Sequence, residues 1–444
     1  MNPSDAVRRL AMYLSWTSAL VLILLPFHAF ITVWFSSFLG HYTLLRLWKE
    51  FLLIIIVCGA IAILLADKDL RKKLFSFWPA RLIGIYIFLL LIWGFVALAK
   101  GDVSSKAMWY GLLVNLRFLI FFVVVAVVAA KSDLLGRIWP KVLLLPAALV
   151  SFFAILQFLV LPYDFLRHFG YGQATISPYE TINHNLNHLR VVSTLRGANP
   201  LGVYLILPIS AFVSLLLVKK LKGSLYGILG IGLVLALVFS FSRSAWIGAI
   251  VSVLVLLWLC LKKPRHRALT LRIAIALAAV AALSGFALRN NTTFENIIFH
   301  TDHTSVVATS SNEGHLAAFK QAVGDIVNQP LGRGVGTAGP ESVYNLGQTR
   351  IAENYYLQIG QEVGIAGIII FVGVNILVGI ELWRRQNNQL AKVLLSSLVG
   401  ITFVNLVSHA WTDDTLAYLW WGLAGICLSS DLKIKKNKQT DDVI

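Results

Sequence analysis

Three arginines, Arg190, Arg196 and Arg243, stand where hydrophobic stretches meet polar chain. A guanidinium is planar, permanently charged and forked, so it grips phosphate oxygens through paired hydrogen bonds. Arg243 is the most telling. It sits in Phe241-Ser242-Arg243-Ser244-Ala245-Trp246, midway through a hydrophobic stretch running from about 223 to 261. About 20 residues suffice to cross a bilayer, so this stretch must turn round at Ser-Arg-Ser and leave a charge at the membrane surface. Such a charge is either kept for function or is the polar tip of a hairpin. Arg190 and Arg196 share the run Arg190-Val191-Val192-Ser193-Thr194-Leu195-Arg196, and Asn199-Pro200-Leu201-Gly202 follows at the mouth of the next hydrophobic stretch.

The elements that must position these groups are transmembrane helices. Hydrophobic residues make up 58% of the chain and charged residues 13%, with a mean hydropathy of +0.76, which places it among polytopic membrane proteins. Twelve spans are expected, near 12–34, 47–66, 81–99, 108–130, 139–161, 198–218, 224–241, 245–261, 269–288, 356–381, 391–411 and 415–430. Met1 to Leu10 lead straight into a full-length span, so no cleavable signal is expected. The net charge of +17 does not indicate nucleic acid. Most of its lysines and arginines fall in alternate connections (Arg8 and Arg9; Lys68 to Lys73; Lys131 to Lys141; Lys219 to Lys222; Lys262 to Arg267; Arg384 to Lys392; Lys433 to Lys438). By the positive-inside rule these are cytoplasmic, together with both termini. The expected organisation is one all-α membrane domain, 1–432, with outer loops at 162–197 and 289–354, and a cytoplasmic tail at 433–444.

Within the second loop, Leu316, Phe319, Val323, Ile326 and Val327 recur at helical spacing between Glu313 and Gln329. They predict an amphipathic helix that lies on the membrane or roofs a cavity, and ends before Pro330. The run Leu331-Gly332-Arg333-Gly334-Val335-Gly336 lacks the strand and lysine of a phosphate loop, so its glycines are expected to permit tight turns beside a ligand or lipid. Cys58, Cys260 and Cys427 all fall in expected spans and read as apolar packing.

The chain resembles the O-antigen ligase and polymerase family of bacterial membrane glycosyltransferases. Three ordered signatures carry the resemblance: R-x-x-S-T…N-P-x-G at Arg190 to Gly202, S-R-x-x-W at Ser242 to Trp246, and the loop closing through Pro330 to Gly336 into Ala352-Glu353-Asn354-Tyr355-Tyr356-Leu357. The similarity covers about 190–414. The resemblance implies a GT-C-like fold in the plasma (inner) membrane with its site on the outer, periplasmic face. It implies a glycan donor on a polyprenyl pyrophosphate, and an acceptor that is lipid A core, another glycan or a protein hydroxyl. On that reading Arg190, Arg196 and Arg243 clamp the pyrophosphate leaving group, and Asn199, Ser242, Arg333, Asn354, Tyr355 and His409 contribute to donor or acceptor binding.

One position departs from the pattern. Family ligases usually carry a histidine, implicated in acceptor activation, where this chain has Glu353. A carboxylate is a competent base when burial raises its pKa; alternatively Glu353 orients one of the three arginines. No cofactor is expected, and transfer is expected to be metal-independent. Asp67-Lys68-Asp69, the only D-x-D match, lies on the cytoplasmic side and reads as a charged turn. His184 and His188 would share a helical face as two metal ligands, with no evident third. His300, His303 and His315 read as exposed loop residues, and Tyr418, Trp420 and Trp421 as interfacial belt. His409, Asp413 and Asp414 read as either acceptor path or helix end. Arg117, deep in its span, must face the bundle interior and find a polar partner. A secondary transporter also fits twelve spans, and a flippase or scaffold would keep the arginines without needing Glu353. Polar loops concentrated on one side favour a surface enzyme.

Overall fold

The first hydrophobic stretch, Asp5–Leu39, is too long for a single crossing. Pro26 divides it. In the computed structural model, α1 (Pro3–Leu24) and α2 (His28–Leu39) are joined by a 3-10 turn at Leu25–Phe27, because proline has no N–H with which to continue the ladder. The structure describes residues 3–182, 185–220, 223–261, scattered positions between 264 and 288, 311–345, 347 and 349–433. Next come α3 (Trp48–Ala66), α4 (Lys68–Ser76), α5 (Trp78–Lys100), α6 (Ser105–Lys131) and α7 (Leu134–Leu159). An antiparallel hairpin of β1 (Glu180–Ile182) and β2 (Asn185–Arg190) precedes α8 (Ala198–Leu217), α9 (Ser224–Phe239) and α10 (Arg243–Cys260). After these stand α11 (Ser311–Asn328), α12 (Tyr355–Arg384), α13 (Gln389–Asn405) and α14 (Asp414–Leu428).

Among the described residues, 8 helices are long and apolar enough to cross a membrane. They account for eight of the twelve expected spans. Three more, 224–241, 391–411 and 415–430, correspond to the shorter helices α9, α13 and α14, of 16, 17 and 15 residues. The span expected at 269–288, the loop positions His300 and His303, and the tail beyond 433 lie outside the residues described continuously.

α14 is the axis of the bundle. All 15 of its residues are buried, and it runs along α6. Gly425 allows this approach, since a Cβ there would lie 2.5 Å from the Phe122 carbonyl oxygen. The aromatic run expected at the interfacial belt is therefore core: Tyr418, Trp420 and Trp421 are each 0% exposed, packed among Phe118, Phe121, Phe122 and Trp411. A helix apolar on every face packs inside protein as readily as in lipid.

The glycine run makes the expected tight turns, and its backbone packs closely against neighbouring helices. α12 breaks at Gly364 (φ 73°, ψ −169°), and residues 330–336 lace across the break. Arg333 N donates to the Gln361 carbonyl at 2.8 Å, Gly334 N to the Glu362 carbonyl at 2.8 Å, and Ile365 N to the Pro330 carbonyl at 2.9 Å. Gly332, Gly334 and Gly336 all have positive φ, and Cβ atoms on them would lie 2.5 Å from Glu362 O, 2.0 Å from Ala97 Cβ and 2.4 Å from Ala107 O. Gly336→Ala is accordingly expected to cost roughly 2–4 kcal/mol, combining left-handed strain with overpacking. It should appear as a lowered thermal midpoint in detergent. Gly314→Ala, with open space around it on α11, should be neutral or stabilising.

Two further expectations resolve locally. Asp67 accepts from Leu70 N at 2.8 Å, capping α4, and pairs with Lys131, so the Asp67-Lys68-Asp69 triplet is a helix cap. α11 ends at Asn328 as the proline requires. Its residues Leu316, Phe319, Val323 and Val327 are exposed, forming an uncovered apolar stripe.

Candidate functional site

The connections after α7, α9, α11 and α13 meet at one end of the bundle, and the candidate residues gather there. Arg190 closes β2, where it faces Glu180 across the hairpin. Its guanidinium donates through Nε to the Ser240 carbonyl at 3.2 Å and through Nη2 to Asn199 Oδ1 at 2.6 Å, and lies 3.7 Å from Glu180 Oε2. Arg243 opens α10, close enough for the two like charges to act on each other. Two neighbouring cations stabilise an anion that bridges them far more than either would alone.

The spacing of the two arginine signatures has a packing reason. A Cβ on Gly202 would lie 2.8 Å from both Ser242 Cβ and Ala245 Cβ, so glycine lets α8 seat directly against the Ser-Arg turn. Ser242 itself is buried, and its hydroxyl has no hydrogen-bond partner among the described residues. Ser193 donates to the Val150 carbonyl at 2.7 Å and Thr194 to the Pro26 carbonyl at 2.8 Å, pinning the segment between Arg190 and Arg196 to α7 and the α1–α2 turn.

A second group surrounds Glu353. Its carboxylate Oε2 lies 3.8 Å from His315 Nδ1 of α11 and 3.9 Å from His409 Nδ1 of the α13–α14 connection. Both contacts are too long to be hydrogen bonds, and the carboxylate keeps 35% of its side-chain surface exposed. Burial lowers the pKa of His409, against the pull of Glu353. Arg196 joins this group: its Nε donates to Asp413 Oδ2 at 3.1 Å, and its charge acts on His409. Asp413 in turn caps α14, accepting from Thr415 N at 3.1 Å and Leu416 N at 3.3 Å. Burial raises the Asp413 pKa while Arg196 pulls it down.

Left-handed backbone lies within the first and third signatures and immediately before the second. Ser193, Phe241 and Glu353 have φ of 52°, 48° and 50°, a region that costs non-glycine residues about 1–3 kcal/mol and recurs at functional sites.

Other expected residues have structural tasks. Asn354 caps α12 through Leu357 N at 3.0 Å and donates to the Leu406 carbonyl at 2.7 Å. Tyr355 is 0% exposed and donates to Asn115 Oδ1 at 3.0 Å. Arg333 pairs with Asp325 at 2.8 Å and shares that carboxylate with Arg350. Glu353 lies nearest the two histidines, Arg190 contacts Glu180 and Arg196 contacts Asp413. His188 lies on β2, so the helical spacing read for His184 and His188 does not arise, and His184 lies outside the described residues.

Sequence reasoning missed His315 as a neighbour of Glu353, and it missed a buried charge cluster beneath the site. Lys49 Nζ lies 3.1 Å from Glu50 and 3.0 Å from Asp414; Arg117 lies 3.4 Å from Glu50 and contacts Asp414 directly. His28 accepts from Trp48 Nε1 at 2.8 Å and sits 3.7 Å from Asp414. Two cations face two carboxylates. The polar partner required for Arg117 is thus Asp414 with Glu50, and the available signal was Lys49-Glu50 inside an apolar span. Nearby, burial pushes the Glu341 carboxyl up to about 7. Among the described residues no group of three or more His, Cys, Asp or Glu is arranged to hold a metal ion.

Residues 228–372 match the family model described as O-antigen ligase, the family the sequence signatures resemble. The matched span contains Arg243, Arg333 and Glu353; Arg190, Arg196 and His409 lie outside it. The match supports a membrane glycosyltransferase of the O-antigen ligase or polymerase type. No curated protein matches the chain.

Proposed function

We propose, proceeding from the O-antigen ligase domain as premise, that the protein transfers a glycan from a polyprenyl-pyrophosphate carrier to an acceptor hydroxyl at the outer face of the plasma membrane, without a metal. The observation that carries this reading is the division of labour at one end of the bundle. Arg190, held by Asn199 and Ser240, stands close enough to Arg243 for the two like charges to act on each other. Separately, Glu353 has two imidazoles near one carboxylate oxygen and part of its carboxylate exposed. The basic connections of the opposite end support an outer position for this one, and the exposed stripe of α11 suits the outer membrane interface.

In the reaction the acceptor oxygen forms a bond to the anomeric carbon as the bond from that carbon to the pyrophosphate oxygen breaks. Negative charge grows on the departing pyrophosphate, where the Arg190–Arg243 pair stabilises it. Glu353 takes the acceptor proton. His409 and His315 lie beside its Oε2, and Arg196 with Asp413 secures the connection that carries His409.

Glu353→Gln is expected to lower turnover by about 10²–10⁴-fold, the usual worth of a general base, with donor binding unchanged. Loss of donor binding instead would make Glu353 a binding residue. The reading as a whole is tested by incubating purified protein in detergent and EDTA with a polyprenyl-pyrophosphate oligosaccharide and lipid A-core, glycan or peptide acceptors. Release of polyprenyl pyrophosphate, with glycan appearing on one acceptor, is the expected mass-spectrometric result. Donor binding with no release under any acceptor would instead indicate a lipid transporter or scaffold.

A further inference from the structure

Arg190 also lines a cavity of about 230 Å³ on the side of the hairpin. Its walls are aromatic: Phe158 from the end of α7, Tyr163 and Tyr179 from the following loop, and Phe241 from the α9–α10 turn, with Gln157 and His188 beside them. The Tyr163 and Tyr179 rings meet edge to face, 5.1 Å apart at 80°, and Phe158 lies 6.4 Å from Phe241. Phe158 and Tyr163 remain 38% and 43% exposed, although burying them in the core would ordinarily be favourable. Phe241 reaches this cavity from a left-handed backbone (φ 48°), two residues before Arg243. One strained turn thus supplies both an aromatic wall and a cation.

Flat aromatic faces ringed by phenol hydroxyls, an imidazole and a guanidinium suit a pyranose. The sugar's C–H face lies on the π surface while its hydroxyls meet the polar tips. The volume selects what fits, because pockets that enclose drug-sized molecules run to about 300–1,000 Å³, so this one accommodates a single sugar ring. We propose that it binds the first sugar of the donor, the one joined directly to pyrophosphate. The proposal rests on the reading of Arg190 and Arg243 as the pyrophosphate clamp, since Arg190 then spans both subsites. Selectivity for that first sugar follows from Tyr163 and Tyr179.

The test compares binding of full-length protein in detergent to bare undecaprenyl pyrophosphate and to the same lipid carrying one glucose, galactose, N-acetylglucosamine or N-acetylgalactosamine. Wild type should bind at least one sugar-bearing lipid tenfold or more tightly than the bare lipid. Tyr163→Ala and Tyr179→Ala should erase that advantage and leave bare-lipid affinity unchanged, while Tyr179→Phe, which keeps the ring, should retain most of it. Equal wild-type affinity for bare and sugar-bearing lipids would overturn the proposal and leave the clamp standing, as would tyrosine variants that weaken both lipids alike. Failure of wild type to bind any of these lipids would remove the clamp, and the sugar subsite with it.

Discussion

Arg243→Ala is expected to reduce glycan transfer by about 10²–10³-fold, the scale seen when one preorganised group that stabilises transition-state charge is removed. Arg243 starts α10 on the far side of the Ser-Arg turn, and its partner in charge, Arg190, is already anchored by Ser240, Asn199 and Glu180. Removing Arg243 therefore leaves a single guanidinium against a pyrophosphate that carries its greatest charge as it departs. Arg243→Lys should recover little, because a point charge cannot reproduce the paired hydrogen bonds of the fork. The check is the release rate of polyprenyl pyrophosphate, measured alongside the thermal midpoint and membrane insertion of each variant. A folded Arg243→Ala protein with ordinary turnover would remove the clamp from the mechanism.

Asp414→Asn should destabilise the protein by about 3–5 kcal/mol, the cost of leaving a buried charge without its partner. Asp414 is the shared carboxylate of Lys49 and Arg117, and neutralising it leaves Glu50 alone to face both cations. It also starts the central helix, directly after the Asp413 that holds Arg196, so loss of stability should come with loss of order at the site. Adding Lys49→Met to Asp414→Asn restores the balance of one cation to one carboxylate and should recover part of the loss. Denaturation midpoints in detergent decide the matter. A loss below about 0.5 kcal/mol for the single variant, ordinary for a surface change, would show that the cluster is not the internal brace its geometry implies.

The mouth of the bundle was partly legible before any coordinates. Arg243 could be placed at a turn because a hydrophobic run of its length cannot cross once, and Arg117 could be placed in the interior because a charge in lipid must find a partner. The amphipathic pattern of α11 and the stop at Pro330 were equally plain, since helical period and proline act on neighbouring residues. The glycines of 332–336 were visible as turns, but what they turned against was not: the contacts of Gly334 with Ala97 and of Gly336 with Ala107 join distant parts of the chain.

What the sequence determined by itself, then, was which segments are helical and apolar, where charges stand on them, and which family signatures they carry, all properties of local composition and spacing. The tertiary structure alone decided which faces meet. Tyr418, Trp420 and Trp421 are as apolar beside lipid as beside Phe118 and Phe122, so hydropathy could not say that α14 is the axis of the bundle. Nor could spacing bring His315 of α11 and His409 of the α13–α14 connection to the same carboxylate oxygen of Glu353. Those contacts depend on how whole helices pack, and no local pattern records them.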